Sequence, residues 1–167
     1  MIRFLFLVLL ISIGISGFSQ NKSKFDQRIN RNVLHGRVTL EAFEGDICKD
    51  WYGPEYKSYH PKKGIIKKLR KKSFEDISIT LILGSWCHDS HREVPRFIKI
   101  LDEIRFPFQK LTMNALDTKK NSPDYDAKVN NVSRVPTAII YCNGKEIGRI
   151  IETPNKSLEK DLLKILN

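Results

Sequence analysis

Cysteine is scarce in this chain of 167 residues, which contains only Cys48, Cys87 and Cys142. Three thiols exclude a disulfide-dense miniprotein, and one thiol is left over if the other two pair. No apolar run after residue 19 is long enough to cross a bilayer. No internal repeat occurs, and a composition of 41% hydrophobic and 29% charged residues excludes collagen-like, mucin-like and wholly disordered chains. After these exclusions, the length and composition predict one globular domain of ordinary size.

The first 19 residues have the pattern of a secretory signal peptide. Arg3 gives a positive start, residues 4–15 are almost entirely apolar, and the small residues Gly17 and Ser19 precede a cut after Ser19. An uncleaved membrane anchor is the alternative, although the run is shorter than the ~20 residues that a span needs. We therefore expect an exported protein, periplasmic or extracellular, whose mature chain begins at Gln20.

Acidic residues are outnumbered, since 29 Lys and Arg stand against 19 Asp and Glu and give a formal net charge of +10. Part of the excess lies in residues 62–72, which also carry Ile65, Ile66 and Leu69 at helical spacing. A solvated helix face is the first interpretation, and weak contact with an anionic surface of the cell envelope is the alternative. Nucleic acid is not expected as a partner, because no motif interleaves basic and aromatic residues.

The chain divides into a leader, an N-terminal extension over residues 20–60 and a domain over residues 61–167. Residues 20–32 are polar and predict a flexible segment, while the aromatic-rich residues 50–61 predict a packed loop. The domain predicts helices over 61–72, 90–104 and 123–130 and from residue 158, and strands over 77–84, 110–116, 137–141 and 145–151. This order indicates an α/β fold with a mixed β-sheet flanked by helices.

The sharpest local feature is Cys87, which falls where the predicted strand 77–84 ends and a long helix begins. Unpaired backbone N–H groups at a helix start favour a thiolate, and a thiolate is the nucleophile of thiol–disulfide exchange. A buried, inert cysteine at a strand end is the alternative. The position favours a reactive cysteine, because open α/β sheets place their functional sites at the carboxyl ends of strands.

Four features in order resemble the thioredoxin superfamily over roughly residues 61–167. Trp86-Cys87-His88-Asp89-Ser90 is similar to that family's Trp-Cys-x-x-Cys motif, with Ser90 in place of the second cysteine. Pro95 matches the proline of its active-site helix, Val135-Pro136-Thr137 matches its cis-proline segment, and residues 141–145 resemble its terminal hairpin. The resemblance implies a thioredoxin-like fold, Cys87 as the catalytic nucleophile and a cis bond before Pro136.

Two departures from the resembled pattern bear on the reaction. Ser90 cannot form an internal disulfide, and Leu81 stands near the position of an acidic residue that assists proton transfer in thioredoxins. A monothiol oxidoreductase or isomerase-like protein is therefore expected, in which Cys87 forms mixed disulfides with protein or small thiols and no cofactor takes part. A non-catalytic binding module that recognises extended protein segments is the alternative.

Other residues near the motif have expected roles. Ser90 is assigned to the catalytic site, because it can donate a hydrogen bond to the thiolate of Cys87. The substrate-binding residues are expected to be those flanking the nucleophile and those of the proline segment, namely Trp86, His88, Val135, Pro136 and Thr137.

The other two cysteines and a metal site leave alternatives open. Cys48 is a candidate remote resolving thiol or a disulfide partner of Cys142, although two free thiols are favoured. A metal held by Cys87 and His91, which are spaced for one helical face, together with His88 and Asp89, is a less favoured reading. No metal is expected.

Overall fold

A computed structural model describes residues 20–167, so the predicted signal peptide over residues 1–19 lies outside the described residues. The strands are β1 (Ser23–Asp26), β2 (Arg31–Leu34), β3 (Gly36–Val38), β4 (Ile77–Leu83), β5 (Leu111–Ala115), β6 (Thr137–Cys142) and β7 (Lys145–Ile151). The helices are α1 (Tyr52–Ser58), α2 (Lys63–Leu69), α3 (His88–Glu103) and α4 (Leu158–Ile165). Within residues 20–167, no helix combines the length and apolar character that a membrane crossing requires.

Five strands form the central sheet in the order β3-β5-β4-β6-β7. β4 runs parallel to β5, whereas the other neighbours pair antiparallel, with Leu83 opposite Ala115 and Leu81 opposite Ala138. The apolar residues of β4 place it at the centre of the sheet, where a strand is covered on both faces. The predicted mixed sheet flanked by helices is confirmed, and the fold is thioredoxin-like.

Two apolar clusters cover the two faces of the sheet. The larger one packs side chains of all four helices against Leu81 and Leu83 of β4. The smaller one packs Ile82, which lies between Leu81 and Leu83 on β4, and Ile139 of β6 against loop residues between β5 and β6. Because side chains alternate across a strand, one buried strand contributes to both clusters. The smaller cluster lies next to the end of β4 that leads into Cys87.

The polar segment over residues 20–32 forms part of a β-hairpin, so the prediction of a flexible segment is wrong. It contains β1 and the first half of β2, which pair antiparallel as a hairpin, with Asp26 opposite Arg31. Asp26 is buried and accepts hydrogen bonds from the N–H and the hydroxyl of Thr118, at 3.0 and 2.7 Å. A polar sequence folds here because a buried carboxylate finds donors on a distant loop. β3 then forms the edge of the central sheet.

Two further local predictions are wrong. The aromatic-rich residues 50–61 contain helix α1 rather than only a loop, and the ring of Tyr52 stacks on Phe43 with centroids 4.5 Å apart. Residues 123–130 form turns rather than a helix. There the carboxylate of Asp126 accepts hydrogen bonds from the N–H groups of Lys128 and Val129. These side-chain bonds stabilise a turn and compete with the backbone hydrogen bonds of a helix.

The basic segment over residues 62–72 contains α2 as predicted. Ile66 and Leu69 lie in the core, while Lys63, Lys67 and Lys68 are exposed. The apolar side of this helix is therefore occupied by the protein itself, and only its charged side faces solvent.

Candidate functional site

Cys87 is the residue that caps the amino end of α3, immediately after the Gly84–Trp86 connection from β4. Its side chain is partly exposed, and its carbonyl accepts the N–H of His91 at 3.0 Å, which begins the helix. The apolar strand and the helix thus position the thiol at the carboxyl end of β4, as the sequence predicted. The helix begins at His88, two residues before the predicted start.

The peptide bond between Val135 and Pro136 is cis, as the resemblance implied. The Cys87 thiol donates a hydrogen bond to the carbonyl oxygen of Val135, with Sγ 3.2 Å from that oxygen. Two segments that are 48 residues apart in the chain therefore meet at the thiol. This contact forms because β6, which begins directly after Pro136, is hydrogen-bonded to β4.

Trp86 is held rigidly beside Cys87. Its indole Nε1 donates to the carbonyl of Leu116 at 2.8 Å. The ring also lies against Gly84, where an added Cβ would approach it to 2.8 Å. Trp86 and Cys87 both pack on the smaller apolar cluster. Glycine at position 84 therefore permits a close approach that fixes one side of the site.

Ser90 is fully buried, one turn into α3. Its hydroxyl oxygen accepts the N–H of Gly84 at 3.2 Å, which ties the helix to the end of β4. The side chain is therefore part of the framework beneath Cys87. Its predicted hydrogen bond to the thiolate remains a prediction.

The charged and imidazole groups of the motif point in different directions. His88 is exposed, and Asp89 forms an ion pair with Arg92 at 2.8 Å. The ring of His91 stacks on Trp51 with centroids 4.5 Å apart, and its Nε2 lies 2.8 Å from the carbonyl of Ser85.

The environment of His91 bears on the metal alternative. Burial lowers the pKa of His91; the hydrogen bond to Ser85 opposes this effect, and the charges of Arg31 and His88 add to it. Residues 20–167 contain no group of three or more side chains placed to hold a metal ion.

The side chains of the cis-proline segment are buried, so the segment is available to a substrate mainly through its backbone. Val135, Pro136 and Thr137 are buried, and the Thr137 hydroxyl donates to the carbonyl of Arg134 at 2.7 Å. Ser133 and Arg134 are the exposed residues directly before the cis bond.

Cys48 and Cys142 both carry free thiols, and each lies in a different part of the fold from Cys87. Cys48 is fully buried in the larger cluster, and burial raises the pKa of its thiol to about 12. Cys142 pairs with Ile77 at the amino end of β4, opposite the end that carries Cys87. No disulfide joins the three cysteines, so the alternative of a Cys48–Cys142 bond is not realised.

Glu93 is a buried residue of the site that the sequence analysis missed. It is 5% exposed, and it lines a small cavity together with Leu81 and Pro136. Its carboxylate accepts Nε of Arg92 at 2.6 Å. A carboxylate therefore lies near the apolar Leu81 position, contributed by the helix instead of the strand. The signal was available, because Glu93 falls on the apolar face defined by Val94 and Phe97.

The comparisons with known proteins concern the fold. No protein-family model matches the sequence, and no curated protein matches it. A solved structure of a protein of unknown function from Pseudomonas aeruginosa is similar, with a TM-score of 0.51 and 11% identity, over 76% of this chain and 85% of that one.

Thioredoxins are among the other solved structures that match. Thioredoxin O2 from Arabidopsis thaliana has a TM-score of 0.41 and 18% identity, over 62% of this chain and 85% of that one. Mitochondrial thioredoxin 3 from Saccharomyces cerevisiae has a TM-score of 0.38 and 19% identity, over 67% of this chain and 96% of that one.

Proposed function

We propose that this protein is an exported thiol–disulfide oxidoreductase or isomerase-like protein of the monothiol type, with Cys87 as its nucleophile. One observation carries the proposal: the partly exposed Cys87 thiol caps a helix and lies 3.2 Å from the Val135 carbonyl at a cis Val135–Pro136 bond. An accessible thiol at a helix start beside the backbone of a cis-proline segment suits disulfide exchange with an extended substrate.

The reaction requires no group beyond two thiols and a disulfide. The Cys87 thiolate attacks one sulfur of the substrate disulfide, the S–S bond breaks, and the other sulfur leaves as a thiolate that takes up a proton. The product is a mixed disulfide on Cys87. Because Ser90 has no thiol, a second thiol from the substrate or from solution attacks the mixed disulfide and releases Cys87 as a thiolate.

The hydrogen bond between Cys87 and Val135 links ionisation to substrate binding. A thiol donates to the Val135 carbonyl, whereas a thiolate has no proton to donate. Deprotonation therefore leaves that carbonyl open to accept an N–H from an extended segment. The reactive form of the site therefore leaves the Val135 carbonyl without its intramolecular donor, which favours pairing with a substrate backbone.

A non-catalytic binding module is the second candidate, and the position of Ser90 favours it. Ser90 is buried and bonded to Gly84, so the place of a second thiol is taken by a structural group. In this alternative the cis-proline segment binds an extended polypeptide and Cys87 takes no part. The two candidates differ in whether Cys87 forms a mixed disulfide.

The test is the reactivity of the three cysteines, each measured by alkylation and mass spectrometry near neutral pH. Cys87 is expected to react fastest, because Cys48 is buried with a raised pKa and Cys142 lies in a strand. Cys87→Ser is expected to abolish mixed-disulfide formation, while the matched control Cys142→Ser keeps it. Ser90→Cys is expected to form an internal disulfide with Cys87 on oxidation.

Two results would reject this proposal. If Cys87 reacts no faster than Cys142 and forms no mixed disulfide, the binding module becomes the better explanation. If Cys48→Ser abolishes exchange, the protein uses a remote second thiol and is not a monothiol enzyme.

A further inference from the structure

The β1–β2 hairpin extends past the end of the sheet at which Cys87 lies. Gly36, two residues after the hairpin, pairs with Ala115 at the carboxyl end of β5. Leu83, at the carboxyl end of β4, pairs with the same residue. The hairpin is therefore placed beyond both carboxyl ends, beside the connection that carries Cys87. The thioredoxin resemblance, which starts near residue 61, does not include this hairpin.

The hairpin is fixed to the site by specific contacts. The N–H of Leu34 donates to the buried hydroxyl of Ser85 at 2.9 Å, two residues before Cys87. On the other strand, Lys24 forms an ion pair with Asp117 at 2.9 Å. With both strands attached, residues on the hairpin have a defined position relative to the thiol.

Arg31 is the hairpin residue that reaches the active-site connection. Its Nη2 lies 3.4 Å from the carbonyl oxygen of Trp86, the residue that directly precedes Cys87. Its charge also acts on His91 in the first turn of α3. The guanidinium is exposed, and a single long contact uses few of its five N–H donors. Arg31 therefore retains donors for a ligand at Cys87.

The carboxylates around Cys87 are already paired with other cations. Asp89 is bound by Arg92 at 2.8 Å, and on the side of the cis bond Glu152 is bound by Arg134 at 2.7 Å. Within residues 20–167, Arg31 forms no ion pair with a carboxylate. A guanidinium that lies beside the site without an anionic partner suits a carboxylate supplied by the substrate.

We propose that Arg31 binds a carboxylate of the substrate next to its reacting disulfide, so that the preferred substrates are anionic disulfides. This inference rests on the proposed function, and it assigns the N-terminal hairpin to substrate selection. The carboxylate is held by Arg31 on one side of Cys87 while the cis-proline segment flanks the other side. The exchange step is unchanged, since Arg31 transfers no atoms or electrons.

The experiment compares mixed-disulfide formation with an anionic and a neutral probe, 3,3′-dithiodipropionate and 2-hydroxyethyl disulfide, at low salt. Rates are measured by intact-protein mass spectrometry for the wild type, Arg31→Gln, Arg31→Lys and the control Lys71→Gln. Lys71 is exposed on the segment that leads to the amino end of β4, opposite Cys87. The ratio of the two rates within one protein cancels any effect of Arg31 on the thiol itself.

Arg31→Gln is expected to lower the anionic-to-neutral rate ratio about threefold, as for one exposed ion pair. Arg31→Lys should restore part of it, and Lys71→Gln should leave it unchanged. An unchanged ratio in Arg31→Gln, or an equal loss in Lys71→Gln, overturns the role of Arg31 while the oxidoreductase proposal stands. A wild type that reacts with neither probe overturns both.

A second pair of probes identifies the source of the carboxylate. Disulfide-linked peptides with glutamates or glutamines beside the cysteine replace the small disulfides. A loss confined to the peptide pair indicates an acidic protein segment, and a loss confined to the small pair indicates a small anionic thiol. Both results support Arg31 as the recognition residue.

Discussion

At the scale of single residues, the site depends on side chains whose roles follow from burial. Ser90 occupies the place of a second thiol, yet it is fully buried and accepts the N–H of Gly84. Glu93, on the next turn, is a buried carboxylate facing the cavity that Leu81 and Pro136 also line. The serine at position 90 predicted a site without a second thiol. The contacts indicate that Ser90 supports the connection before Cys87.

Ser90→Ala tests the structural part of this arrangement. Removing the hydroxyl leaves the buried N–H of Gly84 without its acceptor, which costs about 1–3 kcal/mol. The free energy of unfolding, measured in urea, is expected to fall by this amount. The control is Ser78→Ala, a half-buried serine of β4, which should change this free energy by no more than ~0.5 kcal/mol. Equal stability of Ser90→Ala and the wild type contradicts the expectation.

At the scale of elements, the β1–β2 hairpin is attached through a buried carboxylate. Hydrogen bonds from the N–H and hydroxyl of Thr118 lower the pKa of Asp26. A hydrogen bond from the backbone N–H of Arg28 acts in the same direction. A lowered pKa in the folded state means that the ionised carboxylate favours the docked hairpin. This contribution is present above the ordinary aspartate value near ~4 and is lost as the pH falls below it.

The Thr118 amide proton reports this contact directly in an NMR titration. Its chemical shift is expected to change with a midpoint below the ordinary aspartate pKa of ~4, and Asp26→Asn should remove the change. The same substitution should speed hydrogen exchange over residues 23–34. Asp46→Asn, which removes an exposed carboxylate that pairs locally with Lys49, is the control and should affect neither signal. A Thr118 midpoint at or above the ordinary value would show that Asp26 does not hold the hairpin.

At the scale of the whole molecule, the segment before β1 is tied to the central sheet. The N–H of Asn21 donates to the carbonyl of Arg37 at 3.0 Å, and its side chain exchanges hydrogen bonds with Thr39. These contacts tie the chain to β3 at the edge of the sheet. The segment before β1 is therefore part of the folded domain.

Cleavage after Ser19 can be measured on exported material. Mass spectrometry is expected to find a chain that starts at or near Gln20, because small residues at positions 17 and 19 suit the cut. Ser19→Phe, which places a bulky residue at the cut, should leave the leader attached. An intact amino terminus on the wild-type protein would favour the membrane-anchor alternative.

The sequence alone was sufficient to place the main elements of residues 61–167 and the position of Cys87 between β4 and α3. Apolar periodicity identifies β4 and α3, and the thiol between them follows from their order along the chain. These features are local, so they can be read from neighbouring residues. The cis-proline segment was also identified, although only through resemblance.

Tertiary structure decided the parts that depend on distant contacts. Most of the β1–β2 hairpin lies in the polar residues 20–32, and the hairpin docks because Thr118 and Ser85 supply hydrogen-bond partners from far along the chain. The place of Arg31 beside Trp86 follows from that docking and has no sequence pattern of its own. Hydrophobic periodicity predicts which side chains are buried, whereas the pairing of polar groups across the fold is fixed only when the elements pack.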